Sequence, residues 1–205
     1  MRLDLRLIAE MIAPRARVLD IGCGDGALLE HLEREKQADA RGIEIDMAQA
    51  TSAVAQGLAV IHGDADNDLA FYPDDAFDYV VLSRTIHAVE KPREVLRQML
   101  RIGRHAIVSF PNFGHWEVRM KLLLTGRMPM TQTWGKAWHE TPNIHPCTIL
   151  DFVDLCAQDG YKVEQWLAVD EHGSRAPWKR SVRLANLFGE QALFLLKRSG
   201  AEPRG

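Results

Sequence analysis

The chain has 205 residues, a formal net charge of −3 at pH 7 and 46% hydrophobic residues. A chain of this length buries roughly 70% of the surface that its unfolded form exposes, so it needs neither disulfides nor a structural metal to fold. The acidic net charge argues against a dedicated nucleic-acid-binding protein, which would carry a surplus of basic residues. We therefore expect one globular domain over residues 1–205 and no nucleic-acid partner.

The cysteine content and the N-terminus indicate the compartment. There are three cysteines, an odd number without a CxxC pair, which is not the pattern of a disulfide framework. The N-terminal segment is too charged for a signal peptide, and no run of about 18 apolar residues could cross a membrane. These features favour a protein of the reducing cytoplasm with no membrane partner.

Strand and helix patterns alternate along most of the chain. The apolar spacing over residues 5–12 predicts a first helix, which Pro14 ends. The predicted strands are 16–21, 40–45, 58–63, 77–83, 104–110, 161–169 and 191–198. The further predicted helices are 26–36, one that begins near Asp46, 93–102, 115–126 and 148–160. This alternation is typical of a mostly parallel sheet with helices on both faces, in which ligands bind at the carboxyl ends of the strands.

The stretch VLDIGCGDG, residues 18–26, is the most informative local motif. Gly22, Gly24 and Gly26 lie where a strand turns into a helix, and glycine there lets a ligand approach the backbone closely. The spacing of Gly22, Gly24 and Ala27 also satisfies the relaxed dinucleotide fingerprint. The glycine spacing alone is therefore also compatible with a nicotinamide-dependent oxidoreductase.

Asp20 distinguishes a dinucleotide from other nucleoside ligands, because it lies two residues before the first glycine. A carboxylate there would oppose the pyrophosphate of a dinucleotide, which is bound by amides and the positive end of a helix. It suits a nucleoside with a cationic end. S-adenosylmethionine carries an ammonium, a sulfonium and no phosphate. The motif therefore favours S-adenosylmethionine, or its product S-adenosylhomocysteine, over a dinucleotide.

Acidic residues also follow the next two predicted strands. Glu44 ends the second strand, 20 residues beyond Gly24, where a carboxylate can hold both hydroxyls of a ribose. Asp46 is a second candidate for this role, with capping of the next helix as the alternative. Asp64 ends the third strand, where it is placed either to meet an adenine amine or to form a turn.

The motifs DxGxGxG, GIE, GDA and FDYVVL follow one another in order over residues 15–110, and this combination resembles class I S-adenosylmethionine-dependent methyltransferases. The resemblance implies an α/β, Rossmann-like fold with a seven-stranded, mostly parallel sheet of order 3-2-1-4-5-7-6 and an antiparallel seventh strand. The residues that it places at the cofactor are Asp20, Gly22, Cys23, Gly24, Gly26, Glu44, Ile45, Asp64, Ala65 and Ser83.

A catalytic set is harder to recognise. Methyl transfer needs positioning, and a base where the acceptor must lose a proton. The segment SRTIHAV (83–89) offers His87 as the one evident base, with packing against the cofactor as the alternative. HETPNIH (139–145) is not HExxH, and Pro142 prevents one helical face, so we expect no metal site. The sequence predicts a cofactor-binding site but no recognisable set of catalytic residues.

An aromatic-rich insertion occupies residues 111–147, with a local charge of +2 and three of the five tryptophans. Within it, 115–126 predicts an amphipathic helix with an outer Glu117–Lys121 pair and with these residues on one side: Trp116, Met120, Leu123 and Leu124. Long loops in compact domains are usually lids or binding surfaces, so both remain open. Residues 171–183 have a local charge of +3. Both basic stretches could face an anionic ligand or an acidic patch of another protein, and the alternative is that they are solvated loops.

The longer stretches LDIGCGDGALLEHL, RGIEID, LSRTIHAV and SFPNFGHWEVR are similar to the methionine-biosynthesis protein MetW family over nearly the whole chain. That resemblance implies a protein partner, homoserine O-acyltransferase, which needs the family member for full activity. The hypothesis is an S-adenosylmethionine-binding accessory subunit of homoserine acylation. The alternative is an active methyltransferase on a small molecule, with the insertion as a lid and His87 or His115 near the methyl group.

Overall fold

The computed structural model describes residues 1–131, 134–170 and 181–198. The strands are β1 (Arg17–Ile21), β2 (Asp39–Glu44), β3 (Ala59–His62), β4 (Phe77–Ser83), β5 (Gly103–Pro111), β6 (Tyr161–Val169) and β7 (Gln191–Arg198). The helices are α1 (Leu3–Met11), α2 (Ala27–Lys36), α3 (Met47–Ala55), α4 (Ala65–Asp68), α5 (Pro92–Ile102), α6 (Trp116–Thr125), α7 (Ile149–Gln158) and α8 (Val182–Phe188).

The strands form one sheet in the order β3-β2-β1-β4-β5-β7-β6. The pairs among the first five strands are parallel, and β7 is antiparallel to both β5 and β6. This confirms the strand order and the Rossmann-like fold that the resemblance to class I methyltransferases implied. The chain reverses its winding direction between the adjacent strands β1 and β4, and such a switch point opens a crevice at the carboxyl ends of the strands.

Each face of the sheet carries its own apolar core. On one face α1 and α2 contribute Ile8 and Leu32, both fully buried, beside Val18 of β1. On the other face α5 and α7 pack over the sheet, and Phe152 of α7 lies with its ring centre 4.7 Å from that of Phe194 on β7. Burying a phenylalanine side chain of this kind stabilises the fold by roughly 1.5–3 kcal/mol. The two cores hold the carboxyl ends of the strands in a fixed arrangement.

Two short helices were not predicted. Helix α4 (Ala65–Asp68) is one turn long, and α8 (Val182–Phe188) begins at a cap in which the Ser181 hydroxyl accepts from the amide of Leu184. The elements that the sequence predicted are present within a residue or two of their expected bounds. Residues 171–180 of the basic stretch 171–183 lie outside the described residues.

In the described part of the chain, no helix is both long and apolar enough to span a membrane.

Candidate functional site

The loop between β1 and α2 can be built only with glycine at two of its positions. Gly22 and Gly26 have φ angles of +69° and +84°, a region that other residues rarely adopt. A Cβ atom on Gly22 would lie 2.7 Å from Oγ1 of Thr85, and one on Gly26 would lie 2.3 Å from Cδ1 of Leu58. Gly24, at φ +60°, lies between them in the same turn. The loop therefore packs closely against Thr85, just after β4, and against Leu58, just before β3.

Asp20 is the buried acid of this crevice. The residue is 2% exposed, and its Oδ1 atom accepts no hydrogen bond from any described residue. Burial raises the pKa of this carboxyl to about 7; the Arg2 guanidinium acts in the opposite direction, and the Glu44 carboxylate adds to the rise. An unpartnered buried carboxylate is costly, so a ligand that supplies a cationic donor fits this position. The ammonium of an amino-acid nucleoside is such a donor.

Glu44 joins the glycine loop to the next strand. One carboxylate oxygen accepts from the amide of Gly24 at 2.7 Å, and the other accepts from the amide of Asp46 at 2.9 Å. Each oxygen keeps a second lone pair, so contact with a ribose hydroxyl stays a prediction. Asp46 itself caps α3 by accepting from the amide of Ala48, which is the structural role considered for it in the sequence.

The third acidic residue, Asp64, caps the short helix α4. Its side chain accepts from the amide of Asp66 at 2.9 Å and from the Asn67 side chain at 2.7 Å. The turn-forming role of Asp64 is therefore present, and an adenine contact stays a prediction. Ala65 is half-buried against the core, whereas Ile45 at the end of β2 is 65% exposed. Ile45 thus offers an apolar surface beside the carboxyl ends of β2 and β3.

Ser83 and Cys23 are buried beneath the crevice. The hydroxyls of Ser83 and Ser109, at paired positions on β4 and β5, are 3.2 Å apart. The Cys23 sulfur lies 2.5 Å from the position that a Cβ atom on Gly42 would take. Burial and the nearby carboxylates of Asp20 and Glu44 raise the pKa of the Cys23 thiol to about 12, so it stays protonated at neutral pH.

His87 lies inside the structure, between the sheet and the insertion. The residue is 1% exposed, and its ring stacks on Trp134 at 5.2 Å between ring centres. Its Nε2 atom lies 3.3 Å from the sulfur of Cys147. Burial lowers the pKa of His87 to about 4, with a smaller contribution from His145. The ring is therefore neutral at physiological pH, and its use as a base stays a prediction.

Asn112 organises the root of the insertion, a role that no pattern in the sequence indicated. Its side chain is 1% exposed, and the Nδ2 atom donates to the carbonyls of Asn186 and Gly189 at 2.8 and 2.7 Å. Its Oδ1 atom accepts from the amides of Gly114 and Ile149 at 2.9 and 3.2 Å. One side chain thus ties the end of β5 to the start of α7 and the end of α8.

Beyond this root the insertion is half-exposed. Helix α6 forms as predicted, with the Glu117–Lys121 pair at 2.7 Å. Its predicted apolar side faces solvent, with these exposed fractions: Trp116 48%, Met120 41%, Leu123 77% and Leu124 75%. Trp134 covers His87, whereas Trp138 is 73% exposed. The insertion therefore covers part of the sheet edge and also presents a free apolar face.

A cavity of about 1260 Å³ lies between the insertion and the carboxyl ends of β4 and β5. Arg84 and Pro111 form its floor, and Trp134, Trp138 and Met128 are among the side chains of its walls. Arg84 directly precedes Thr85, the residue in contact with the glycine loop. The cavity is therefore a neighbour of the crevice that holds Asp20.

All three cysteines of the chain are free. Within residues 1–131, 134–170 and 181–198, no three His, Cys, Asp or Glu side chains are grouped so that they could hold a metal ion.

Comparison with known proteins agrees with this architecture. The family model described as "Methionine biosynthesis protein MetW" matches residues 2–196. The "Bifunctional methionine biosynthesis protein MetXA/MetW" of Rhodopirellula baltica is 36% identical over 167 residues, which cover 77% of this chain and 27% of that protein. The "Demethylmenaquinone methyltransferase" of Listeria welshimeri is 30% identical over 117 residues, which cover 54% of this chain and 42% of that protein. The chain thus spans under half the length of these relatives.

Solved structures show the same fold at low sequence identity. An S-adenosylmethionine-dependent methyltransferase from Mesorhizobium loti has a TM-score of 0.66 at 17% identity, covering 95% of this chain and 96% of that one. A second one, from Archaeoglobus fulgidus, has a TM-score of 0.65 at 18% identity, covering 95% and 91%. Together with the family match over residues 2–196, these findings show that the chain belongs to the MetW family of methionine biosynthesis proteins.

Proposed function

We propose that this chain binds S-adenosylmethionine and acts as the partner subunit of a MetX-type homoserine O-acyltransferase. The observation that carries the proposal is the Rhodopirellula baltica relative, whose description joins MetXA and MetW in one bifunctional protein. A shared polypeptide keeps two modules at a high effective concentration. Separate chains need an interface to obtain the same proximity, so the proposal requires a docking surface on this chain.

The crevice supports the cofactor part of the proposal through its charges and its glycines. Asp20 would hold the cationic amino-acid end, the glycine loop would lie along the ligand, and Glu44 would take the ribose. Asp64 and the exposed Ile45 would border the adenine. When bound, S-adenosylmethionine supplies a methyl group on a sulfonium. The chain contributes a crevice that excludes phosphate, because its buried acids would repel one.

Helix α6 supports the partner part of the proposal. Trp116, Met120, Leu123 and Leu124 recur at the spacing with which a helix anchors in an apolar groove. All four side chains are exposed, and tryptophan is among the residues that contribute most binding energy at interfaces. We propose that this exposed face of α6 contacts the acyltransferase.

The cofactor would then act as a regulator. S-adenosylmethionine is made from methionine, so its binding would report the output of the pathway to the acyltransferase. Thermodynamic linkage requires reciprocity: if the cofactor changes the affinity for the partner, the partner changes the affinity for the cofactor by the same factor.

The test is a titration of the acyltransferase with this protein, with and without S-adenosylmethionine, read as complex formation and acylation rate. We expect complex formation, a rate increase and a shift of both with the cofactor. Leu123→Gln combined with Leu124→Gln should weaken the complex while cofactor binding is kept. Val54→Gln, an exposed apolar residue on α3, is the matched control. Unchanged rates and no complex for the unaltered protein would disprove the partner proposal.

A second function, methyl transfer to a small molecule, is favoured by the cavity beside the glycine loop. It would place an acceptor next to the cofactor, with water excluded by the insertion. Incubation with methyl-labelled cofactor and a cell extract tests it. Label transfer that disappears in Asp20→Ala would support an active enzyme, and the absence of transfer would leave the accessory role as the function.

A further inference from the structure

The cavity under the insertion is lined by cations. Among its lining residues are Arg2, Arg84, Arg127 and Lys136, and none of the residues that the structure describes there is an aspartate or a glutamate. No described residue forms an ion pair with Arg127 or Lys136. This is the opposite of the neighbouring crevice, whose buried charged side chains are the acids Asp20 and Glu44. The cavity therefore favours an anionic ligand.

Arg84 is positioned by a buried network. Its Nε atom lies 3.2 Å from the carboxylate of Asp4, which is 4% exposed, and one Nη atom donates to the side chain of Gln191 at 3.0 Å. Asp4 also pairs with Arg2 at 3.4 Å and accepts from Gln191. A guanidinium has five N–H donors, so Arg84 keeps donors for a ligand in the cavity that it lines. Its φ of +60° is a strained conformation that this network holds in place.

Most of the remaining lining is aromatic or apolar, with Thr141 and Asn143 as polar members. Trp134, Trp138 and Phe113 contribute rings, and Met128 and Met130 contribute flexible thioethers. The ring of Phe113 meets that of Trp134 edge-on, with centres 5.1 Å apart, so part of this wall is prepacked. Such walls suit a flat or aliphatic body. They also favour a carboxylate over a doubly charged phosphate, since a single charge is less costly to bring among apolar rings.

We propose that this cavity is a binding site for a small organic carboxylate with an aromatic or aliphatic body. The carboxylate pairs with Arg84 and with Arg127 or Lys136, and the body lies against Trp134 and Trp138. Guanidinium groups match carboxylates in a planar, two-pronged arrangement. The inference goes beyond the proposed function and needs neither the acyltransferase nor methyl transfer.

The experiment uses 2-naphthylacetate and its uncharged amide as size-matched probes, with the full chain alone. Binding is read by calorimetry and by the indole N–H signals of labelled protein. We expect saturable binding of the acid, roughly tenfold or more tighter than that of the amide. The indole signals of Trp134 and Trp138 should move, while that of Trp166 on β6 stays in place.

A pair of double variants locates the charge. Arg127→Gln with Lys136→Gln should weaken binding of the acid by roughly tenfold and leave binding of the amide unchanged. Arg34→Gln with Arg97→Gln makes the same charge change on exposed positions of α2 and α5 outside the cavity, and should change neither affinity. Equal binding of acid and amide, absence of saturable binding, or equal effects of the two double variants would overturn the proposal. None of these outcomes depends on S-adenosylmethionine or on the acyltransferase.

Discussion

The glycine-loop crevice and the insertion share one edge of the sheet but are built in different ways. The crevice is acidic, and its key side chains Asp20 and Glu44 are 2% and 7% exposed. The insertion lines its cavity with cations, and much of its apolar surface faces solvent. The crevice is shaped by backbone turns that the two cores hold. The insertion is held at the Asn112 root and, near its far end, by the amides of Ile144 and His145, which donate to the carbonyl of His87. The ligand crevice is therefore part of the fold, whereas most of the insertion is a surface added to it.

The boundary between the crevice and the insertion lies at Asn112. Substitution of this residue should have the largest effect of those predicted below. Asn112→Ala removes four buried hydrogen bonds and leaves their backbone partners unsatisfied. We expect the free energy of unfolding to fall by about 4 kcal/mol, measured by denaturant titration. Asn143→Ala is the control inside the insertion, where the side chain has no hydrogen bond to a described residue. It should change the value by less than about 0.5 kcal/mol. Equal losses would mean that the insertion is uniformly tight.

The packing of the two regions can be compared directly by replacing one glycine in each. Gly26 of the crevice and Gly126 of the insertion both have positive φ angles, +84° and +62°, but a Cβ atom on Gly126 would meet nothing within 4 Å. Gly126→Ala should therefore cost only the left-handed conformation, about 1 kcal/mol. Gly26→Ala adds the clash with Leu58 and should cost about 3 kcal/mol. Thermal and denaturant unfolding measure both variants, and equal costs would refute the tighter packing assigned to the crevice.

The charge of the crevice predicts a pH dependence of cofactor binding. Because burial raises the pKa of Asp20 to about 7, the carboxyl is mostly protonated below that pH, and a bound cation favours its charged form. Affinity for S-adenosylmethionine should thus rise with pH and be roughly tenfold weaker at about pH 6 than at about pH 8. The same shift means that the contribution of Asp20 to stability is lost as pH rises toward 7.

Calorimetry at the two pH values tests the pH dependence, with Asp20→Asn as the matched control. The amide cannot ionise, so its weaker binding should not vary over this range. An unaltered protein whose affinity is constant with pH would contradict a role for the Asp20 charge.

The same comparison explains what the sequence could and could not predict. The strands, the glycine turn and the helix predicted over 148–160 follow from local patterns, and the structure has them, with a Thr148–Asp151 capping box at the start of α7. The role of Asn112 could not be read locally, because its partners lie at positions 114, 149, 186 and 189. Periodicity predicted α6 but not that its apolar side stays uncovered. Which surface covers a helix is a tertiary property, and local pattern carries no information on it.

The smallest predicted effect concerns that uncovered helix face. Leu123 and Leu124 are 77% and 75% exposed, so they bury little surface in the isolated chain. Glutamine has a helix propensity close to that of leucine, so Leu123→Gln with Leu124→Gln should change the free energy of unfolding by less than about 0.5 kcal/mol. Leu32→Ala, a fully buried position on α2, should cost about 2–5 kcal/mol in the same assay. A loss comparable to that of Leu32→Ala would mean that the chain covers this face itself, and the proposed acyltransferase contact would then have no free surface on α6.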